Sequence, residues 1–133
     1  MPDAVAFLSD EWVAALAEVA ASVPARPGAS ATVTTVVTGG PVKERAYRWT
    51  VSDGRVVAAE PGGAAEGAVD IVVNQPYDDA VADLSGEYGI DVAFMRGSTK
   101  VVGRMGTFMD LLPVLRSPEW DAARRQLRER TAL

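Results

Sequence analysis

Apolar residues follow helical spacing near the start of the chain, alternate with polar residues over its middle, and return to helical spacing in its second half. The first helical stretch begins at Ser9-Asp10-Glu11-Trp12, where Ser9 can accept a hydrogen bond from a free backbone N–H and the acids lie at the positive end of the helix dipole. Pro24 and Pro27-Gly28 end it, and the residues before Ser9 show no clear periodicity. The apolar face of this predicted helix consists of Trp12, Val13, Leu16, Val19, Ala20 and Val23.

The middle of the chain predicts β-strands. Turn residues at Gly39-Gly40-Pro41 and Ser52-Asp53-Gly54 separate the first three strands, and because these connections are short we expect an antiparallel meander. The four expected strands are Ala31 to Thr38, rich in β-branched residues; one in which Tyr47, Trp49 and Val51 alternate with Ala46, Arg48 and Thr50; Arg55 to Ala59; and Val69 to Val73.

The second half predicts helices around one more strand. This order of elements predicts an α+β domain with about five mostly antiparallel strands and helices covering one face of the sheet. The expected elements are a helix from Tyr77 to Leu84, a short helix with Ile90, Ala93 and Phe94 that ends at Gly97, a short strand from Thr99 to Val102, a helix from Met105 to Leu115 that Pro113 breaks or kinks, and a last helix that begins at Pro118-Glu119-Trp120, with Trp120, Ala123 and Leu127 inward.

Length and composition fit one soluble globular domain over residues 1–133, since 48% of the residues are hydrophobic and 23% are charged. No apolar run approaches the roughly 18–20 residues needed to cross a bilayer, so stable membrane insertion is not expected. The N-terminus opens with Met1-Pro2-Asp3 rather than with a basic segment. This argues against a secretory signal, and we expect a cytoplasmic location.

The chain contains neither Cys nor His. Without Cys there is no disulfide, thiolate nucleophile or thiolate metal site, and without His there is no Ser-His-Asp triad, HExxH zinc site or imidazole base. Any catalysis would have to come from carboxylates, Tyr, Ser or Thr, Lys or Arg, and we expect no cofactor and no metal. The formal net charge of −5 disfavours nucleic acid as a partner, because neutralising phosphates supplies most of that affinity.

Three groups of polar residues could carry chemistry. Asp78, Asp79 and Asp83 share one face of the predicted helix, where they could bind a divalent cation or act as general acid and base, but a solvated face is favoured. Asp110 stands nearly alone among apolar neighbours, and it either borders a pocket or marks the solvent side of its helix. The late arginines could attract an anionic group, although cations at a helix end also complement its dipole. They are Arg116, Arg124, Arg125, Arg128 and Arg130.

An apolar set in the second half is the most suggestive feature. Apart from Met1, every Met of the chain belongs to it. Met side chains are flexible and adapt to cavities of variable content, although ordinary core packing also explains such a set. Its members are Phe94, Met95, Met105, Phe108, Met109, Leu112 and Leu115.

The segment from Val69 to Leu115 resembles the sterol carrier protein type 2 family, the sterol-binding-domain superfamily of small lipid carriers, in its stand-alone bacterial form. Upstream, Arg48-Trp49-Thr50-Val51-Ser52-Asp53-Gly54-Arg55 resembles the strand–turn–strand hairpin of that family. The match is a pattern of spacing over roughly two-thirds of the chain. Its features are, in order, the strand Val69-Asp70-Ile71-Val72-Val73, a helix through Leu84, Gly86-Glu87, Asp91-Val92-Ala93-Phe94-Met95-Arg96-Gly97, Lys100-Val101-Val102-Gly103 and a Met-rich helix.

The resemblance implies a twisted sheet of about five strands, helices on one face, and an apolar tunnel between the two layers. In that family the tunnel holds fatty acids, acyl-coenzyme A, sterols or similar molecules, and stand-alone members have no catalytic residues. The resemblance therefore implies a non-enzymatic carrier whose partner is an apolar small molecule or lipid. The implied tunnel lining is Phe94, Met95, Met105, Phe108, Met109 and Leu112 from the helices, with Trp49 and Tyr47 from the sheet.

Two other classes of function stay open. A carboxylate-based isomerase would use an acid as base and a Tyr hydroxyl to stabilise an enolate, and only Asp70 and Asp110 lie within apolar segments. An interaction module would instead use Trp12, Trp120 or surplus apolar residues as a homodimer face. A carrier could also form a homodimer.

Overall fold

A computed structural model of the chain describes residues 4–24, 28–40, 44–62 and 69–132. Pro27 and Pro41, which the sequence assigns to turns, lie outside the described residues. The strands are β1 (Val5–Ala6), β2 (Ala31–Thr38), β3 (Arg45–Ser52), β4 (Arg55–Pro61), β5 (Ile71–Pro76), β6 (Lys100–Gly103) and β7 (Thr131–Ala132). The helices are α1 (Asp10–Ala20), α2 (Tyr77–Ser85), α3 (Ile90–Arg96), α4 (Met105–Leu115) and α5 (Pro118–Glu129).

Five of the strands form one sheet in the order β4-β3-β2-β5-β6. Strands β2, β3 and β4 are successive antiparallel neighbours, which confirms the predicted meander. Strand β5 then pairs with β2 in parallel, and β6 closes that edge antiparallel to β5. The predicted α+β fold with a mostly antiparallel sheet is confirmed.

The helices cover one face of this sheet. Helix α1 packs over β4, α4 lies against β2 and β5, and both α1 and α2 contact α5. On the opposite face Asn74 and Lys100, which are register partners, are exposed. The core therefore lies between the sheet and the helices, and its buried sheet residues include Val33, Trp49, Val51, Ile71 and Val73.

The predicted first helix is confirmed. The Ser9 hydroxyl accepts a hydrogen bond from the backbone N–H of Trp12 at 3.2 Å, and the whole predicted apolar face is buried. The indole Nε1 of Trp12 donates to Oγ1 of Thr131 at 3.0 Å, and β1 pairs in parallel with β7. These two strands were not predicted, because two residues are too few to give a periodic pattern.

Two predictions about elements need correction. The fourth strand of the chain's middle runs over Ile71–Pro76 and does not include Val69 or Asp70. The carboxylate of Asp70 accepts a hydrogen bond from the backbone N–H of Thr32 at 3.0 Å, so a side chain here takes the place of a strand carbonyl. Of the two outcomes predicted for Pro113, the break does not occur: α4 continues to Leu115, two residues later, since proline removes only one N–H donor.

Candidate functional site

A cavity of about 50 Å³ lies between the sheet and the helices. All five helices contribute to its wall, together with β3, β5 and the segment before α1. Four polar residues line it, namely Gln75, Asp83, Asp91 and Arg124, and a few polar groups on an apolar wall are typical of small-molecule sites. The apolar lining consists of Phe7, Leu8, Trp12, Leu16, Tyr47, Trp49, Ala80, Leu84, Ile90, Leu115, Trp120 and Leu127.

Aromatic rings form one side of the cavity. The ring of Trp12 lies edge-on to Phe7, with centroids 5.0 Å apart, and edge-on to Tyr47 at 5.6 Å. The indole N–H of Trp12 donates to Thr131, and that of Trp49 donates to Oγ1 of Thr35 at 3.0 Å. Because both N–H groups have protein partners, these rings present apolar surface to the cavity.

An ion cluster forms the polar end. Arg124 donates from Nη1 to the backbone carbonyl of Asp83 at 3.0 Å and to its Oδ1 at 2.8 Å, and from Nη2 to Asp121. Helix α5 holds this arginine in place. The hydroxyl of Ser117 caps the start of α5 by accepting from the backbone N–H of Trp120, and Arg124 follows Trp120 by one turn. The guanidinium therefore joins α5 to α2 at the edge of an apolar space.

Burial changes the proton affinity of two groups at this end. It raises the pKa of Asp83 to about 6, although the nearby Arg124 acts in the opposite direction. Burial also raises the pKa of the Tyr47 hydroxyl, with a further contribution from the negative charge of Asp83 and an opposing hydrogen bond with Thr35. Tyr47 is therefore neutral at physiological pH, whereas Asp83 titrates close to it.

Arg124 also borders a second, open space. A surface groove of about 460 Å³ runs between the end of α2 and the outer side of α5. Leu84 and Arg124 line both this groove and the apolar cavity. The two side chains therefore separate the polar end of the cavity from the surface. The rest of the groove is lined by Ser85, Gly86, Asp121, Arg125, Arg128 and Glu129.

The eight predicted lining residues fall into two groups. Tyr47 and Trp49 line the cavity. The other six lie on α3 and α4, outside the lining of this cavity, and we refer to these six residues together as the α3–α4 seam. They are Phe94, Met95, Met105, Phe108, Met109 and Leu112.

Two contacts join α3 to α4. The rings of Phe94 and Phe108 meet edge-on at 5.2 Å, and Nε of Arg116 lies 3.4 Å from Oδ2 of Asp91. Phe108 is buried, whereas the methionines reach solvent: Met95 is 82% exposed, Met105 38% and Met109 45%. Leu112 and Phe94 are half-buried between these extremes. Whether the six residues contact a ligand stays a prediction.

The predicted solvated face of three aspartates is wrong for two of them. Asp78 is exposed as expected, but Asp79 is 4% exposed, and its carboxylate accepts from Tyr88 Oη at 2.7 Å and from Thr99 Oγ1 at 2.8 Å. Burial alone would raise the pKa of Asp79, but the hydrogen bonds from Tyr88, Ser98 and Thr99, with the charge of Arg96, outweigh it and lower the pKa. Asp79 is therefore a buried structural anion. Asp83 belongs to the ion cluster.

Asp110 matches the simpler interpretation, and of the late arginines Arg128 does so, since it lies in the last turn of α5. Asp110 is exposed, so it marks the solvent side of α4.

Among the described residues no group of three or more His, Cys, Asp or Glu side chains could hold a metal ion. None of the helices in the described part of the chain is both long and apolar enough to span a membrane.

Sequence reasoning missed Gln75 and named Arg124 only as one of five late arginines, although both carry a signal. Gln75 continues the alternation of Ile71 and Val73 on the inward face of β5, and Arg124 follows Trp120 by one turn on the inward face of α5. In both cases the signal is a polar residue at a position where the apolar pattern of the element predicts a side chain that points into the core.

Solved structures share this fold, although no protein-family model and no curated protein matches the sequence. A conserved hypothetical protein from Thermus thermophilus, with a suggested assignment as a sterol carrier protein, has a TM-score of 0.69 and 18% identity over 94% of this chain and 92% of its own. A crystal structure of sterol carrier protein 2 has a TM-score of 0.61 and 18% identity over 95% and 99%. Palmitated SCP2L2 from Aedes aegypti has a TM-score of 0.58 and 13% identity over 83% and 92%. The chain thus has the sterol carrier protein 2 fold, as the sequence resemblance predicted.

Proposed function

We propose that this protein binds or transfers an apolar small molecule or lipid, of the fatty acid, acyl-coenzyme A or sterol class, between its sheet and its helices, and that it catalyses no reaction. The observation that carries the proposal is the cavity itself, whose wall is mostly aromatic and aliphatic and contains four polar residues. One structural neighbour is described as sterol carrier protein 2, another as possibly a sterol carrier protein, and a third as palmitated SCP2L2, which supports the same class of ligand. The expected cytoplasmic location stays a prediction.

A lipid requires the cavity to widen. Its volume of about 50 Å³ is well below the roughly 150 Å³ of an engineered apolar cavity that accepts benzene. Ile90 of α3 and Leu115 of α4 line the cavity, and the α3–α4 seam continues from them along the same two helices. We therefore place the widening at the seam, where Phe94, Phe108 and Leu112 would join the lining with the three methionines.

The free energy of such binding comes from moving the hydrocarbon chain of the ligand out of water, so it depends on the length of that chain. Each methylene group moved out of water contributes about 0.8 kcal/mol, part of which opposes the cost of separating α3 from α4. Methionine suits this seam because its unbranched side chain changes conformation at little cost. Affinity should therefore rise with the number of carbons in a homologous series.

Tryptophan fluorescence provides the test, because all three tryptophans of the chain line the cavity. A doxyl-labelled alkane should quench this fluorescence saturably, and native mass spectrometry of gently purified protein should show added lipid mass. Ala80→Phe fills the cavity wall and should weaken quenching at least tenfold, whereas Ala14→Phe, on the exposed side of α1, should leave it unchanged. Unsaturable quenching together with bare polypeptide mass would refute the proposal, and the wild-type measurements decide this even if Ala80→Phe fails to fold.

An interaction module is the second candidate, favoured by the exposed methionines of the seam. Met95, Met105 and Met109 offer an apolar surface on which a second copy of the chain could pack. Light scattering over a dilution series measures this directly. A dimer that persists at low concentration and dissociates in Met95→Glu would favour the module, and a monomer throughout would exclude a homodimer.

One observation favours the isomerase alternative, and two argue against it. Asp70 is bonded to Thr32 and Asp110 is exposed, and neither lines the cavity. Asp83 does line it, close to Tyr47, but its Oδ1 is held by Arg124 at 2.8 Å. A base in this position would have to leave its ion pair, so binding without chemistry is the better proposal. Absence of α-proton exchange from cyclic ketones in D₂O would support it.

A further inference from the structure

Two nitrogen atoms of the cavity wall have no hydrogen-bond partner in the described part of the chain. They are Nε2 of Gln75 and Nε of Arg124, and both are buried. Gln75 is only 4% exposed and lines the same small cavity as Arg124. Both atoms are donors, and leaving a buried donor unpaired is unfavourable, so this end of the cavity is prepared for a group that accepts hydrogen bonds.

The geometry of Arg124 limits what that acceptor is. Its Nη1 already donates to Asp83 and its Nη2 to Asp121, so only Nε is without a partner. Carboxylates bind arginine best through two parallel N–H groups. On Arg124 the Nη2 next to Nε already holds the carboxylate of Asp121, which would repel a second carboxylate at that edge, so a single neutral acceptor oxygen suits Nε better.

The charges around the site argue in the same direction. Two carboxylates of this wall, Asp83 and Asp91, accompany one guanidinium, Arg124, while Asp121 and Arg116 pair with them from outside the lining. Carboxylates thus outnumber guanidiniums, and a ligand carboxylate would add a further negative charge where little water screens it. Tyr47, the remaining titratable group of the wall, is neutral.

We propose that the cavity selects neutral apolar molecules that carry one acceptor oxygen, such as an alcohol, ketone or ester, over carboxylate anions of the same length, and that the oxygen accepts from Gln75 Nε2 and Arg124 Nε. This specificity rests on the proposed function and narrows its ligand class. The hydrocarbon part of the ligand lies against the aromatic side of the cavity, and the oxygen of the ligand lies beside the ion cluster.

Competition among ten-carbon ligands tests the proposal at pH 8, where decanoate is ionised. Displacement of the doxyl-labelled alkane should give 1-decanol and 2-decanone at least tenfold higher affinity than decanoate, and higher affinity than decane. Decanoate binding as tightly as 1-decanol would overturn the charge argument, and decane binding as tightly would show that no hydrogen bond forms. Binding of none of them, decane included, would instead refute the carrier function on which the proposal rests.

A matched pair of variants locates the oxygen. Gln75→Leu keeps the size of the side chain but removes the donor, so the advantage of 1-decanol over decane should fall at least fivefold while decane binding is retained. Gln126→Leu makes the same change at an exposed position of α5 and should have no effect. An unchanged advantage in Gln75→Leu would overturn the assignment.

A second measurement uses the unmodified protein. On addition of 1-decanol, the ¹H–¹⁵N signals of the Gln75 side-chain amide and of Arg124 Nε–H should shift, while that of the Gln126 amide should not. Decane should shift neither donor. If the two donors respond equally to 1-decanol and decane, the oxygen does not reach them and the proposal fails.

Discussion

Arg124 on α5 donates through one nitrogen to two oxygens of Asp83 on α2, the backbone carbonyl at 3.0 Å and the carboxylate Oδ1 at 2.8 Å. These residues lie 41 positions apart in the chain, and the arginine side chain is largely buried. The contact therefore fastens two helices at the end of the cavity where its polar groups gather. It is part of the proposed binding site and part of the tertiary structure.

Removing this guanidinium should destabilise the fold. Arg124→Met retains the apolar stem but leaves the partly buried carboxylate of Asp83 without its donor, and we expect the free energy of unfolding to fall by about 1–3 kcal/mol. Urea denaturation at pH 8 measures it. Arg125→Met, at the exposed neighbouring position, should change stability by less than about 0.5 kcal/mol. Equal losses in the two variants would show that the pair contributes nothing specific.

Asp83 should also give stability a pH dependence of unusual sign. Its pKa is about 6 in the folded protein and near 3.8 ordinarily, so the folded state binds the proton more tightly than the unfolded state. The contribution of this group is fully present below pH 3.8 and is lost as the pH rises through 6. Urea denaturation from pH 4 to pH 7 should therefore show wild type losing stability relative to Asp83→Asn. A constant difference between the two proteins would contradict the raised pKa.

The fold could be predicted because its signals are local. Ser9 caps a helix three residues before Trp12, Gly97 ends another, and the alternation of Tyr47, Trp49 and Val51 defines a strand face. Each of these patterns acts over one or two turns or a few strand residues, a range that the sequence displays directly.

The site could not be predicted in the same way, because its polar partners are distant in sequence. Asp79 lies on the buried face of α2, because its carboxylate accepts hydrogen bonds from Tyr88 and Thr99, which are 9 and 20 residues later in the chain. Apolar periodicity alone places that side chain in water. The same holds for Arg124, whose partner Asp83 lies on another helix. Tyr47 and Trp49 line the cavity and could be placed there from the sequence, because the alternation along their strand already assigns both side chains to the face that packs against the helices.

Asp79 provides a third prediction. Replacing it with Ala leaves the hydroxyl of Thr99, which is 0% exposed, without its acceptor, and should cost about 1–3 kcal/mol of unfolding free energy. Asp78→Ala, one residue earlier on the exposed side of α2, should change stability little. Because hydrogen bonds lower the pKa of Asp79, its contribution should be present above pH 3.8 and lost as the pH falls below it, opposite in sign to that of Asp83. An effect of Asp79→Ala no larger than that of Asp78→Ala would contradict the buried network.

The corner between β6 and α4 gives the last prediction, at Gly103. Its φ of +122° is unfavourable for any residue with a side chain, and an added Cβ would lie 2.3 Å from the backbone oxygen of Asp70. That oxygen also accepts from the N–H of Arg104 at 3.0 Å, so it cannot move away without breaking its hydrogen bond to the residue that precedes α4. Gly103→Ala should therefore lower the unfolding free energy by about 2 kcal/mol or more. Gly106→Ala, on α4 with open space around it, should instead raise it by about 0.5–1 kcal/mol, because alanine loses less backbone entropy in a helix. Thermal and urea unfolding of both variants decide the matter: a stable Gly103→Ala protein would mean that the backbone at this corner adopts another conformation.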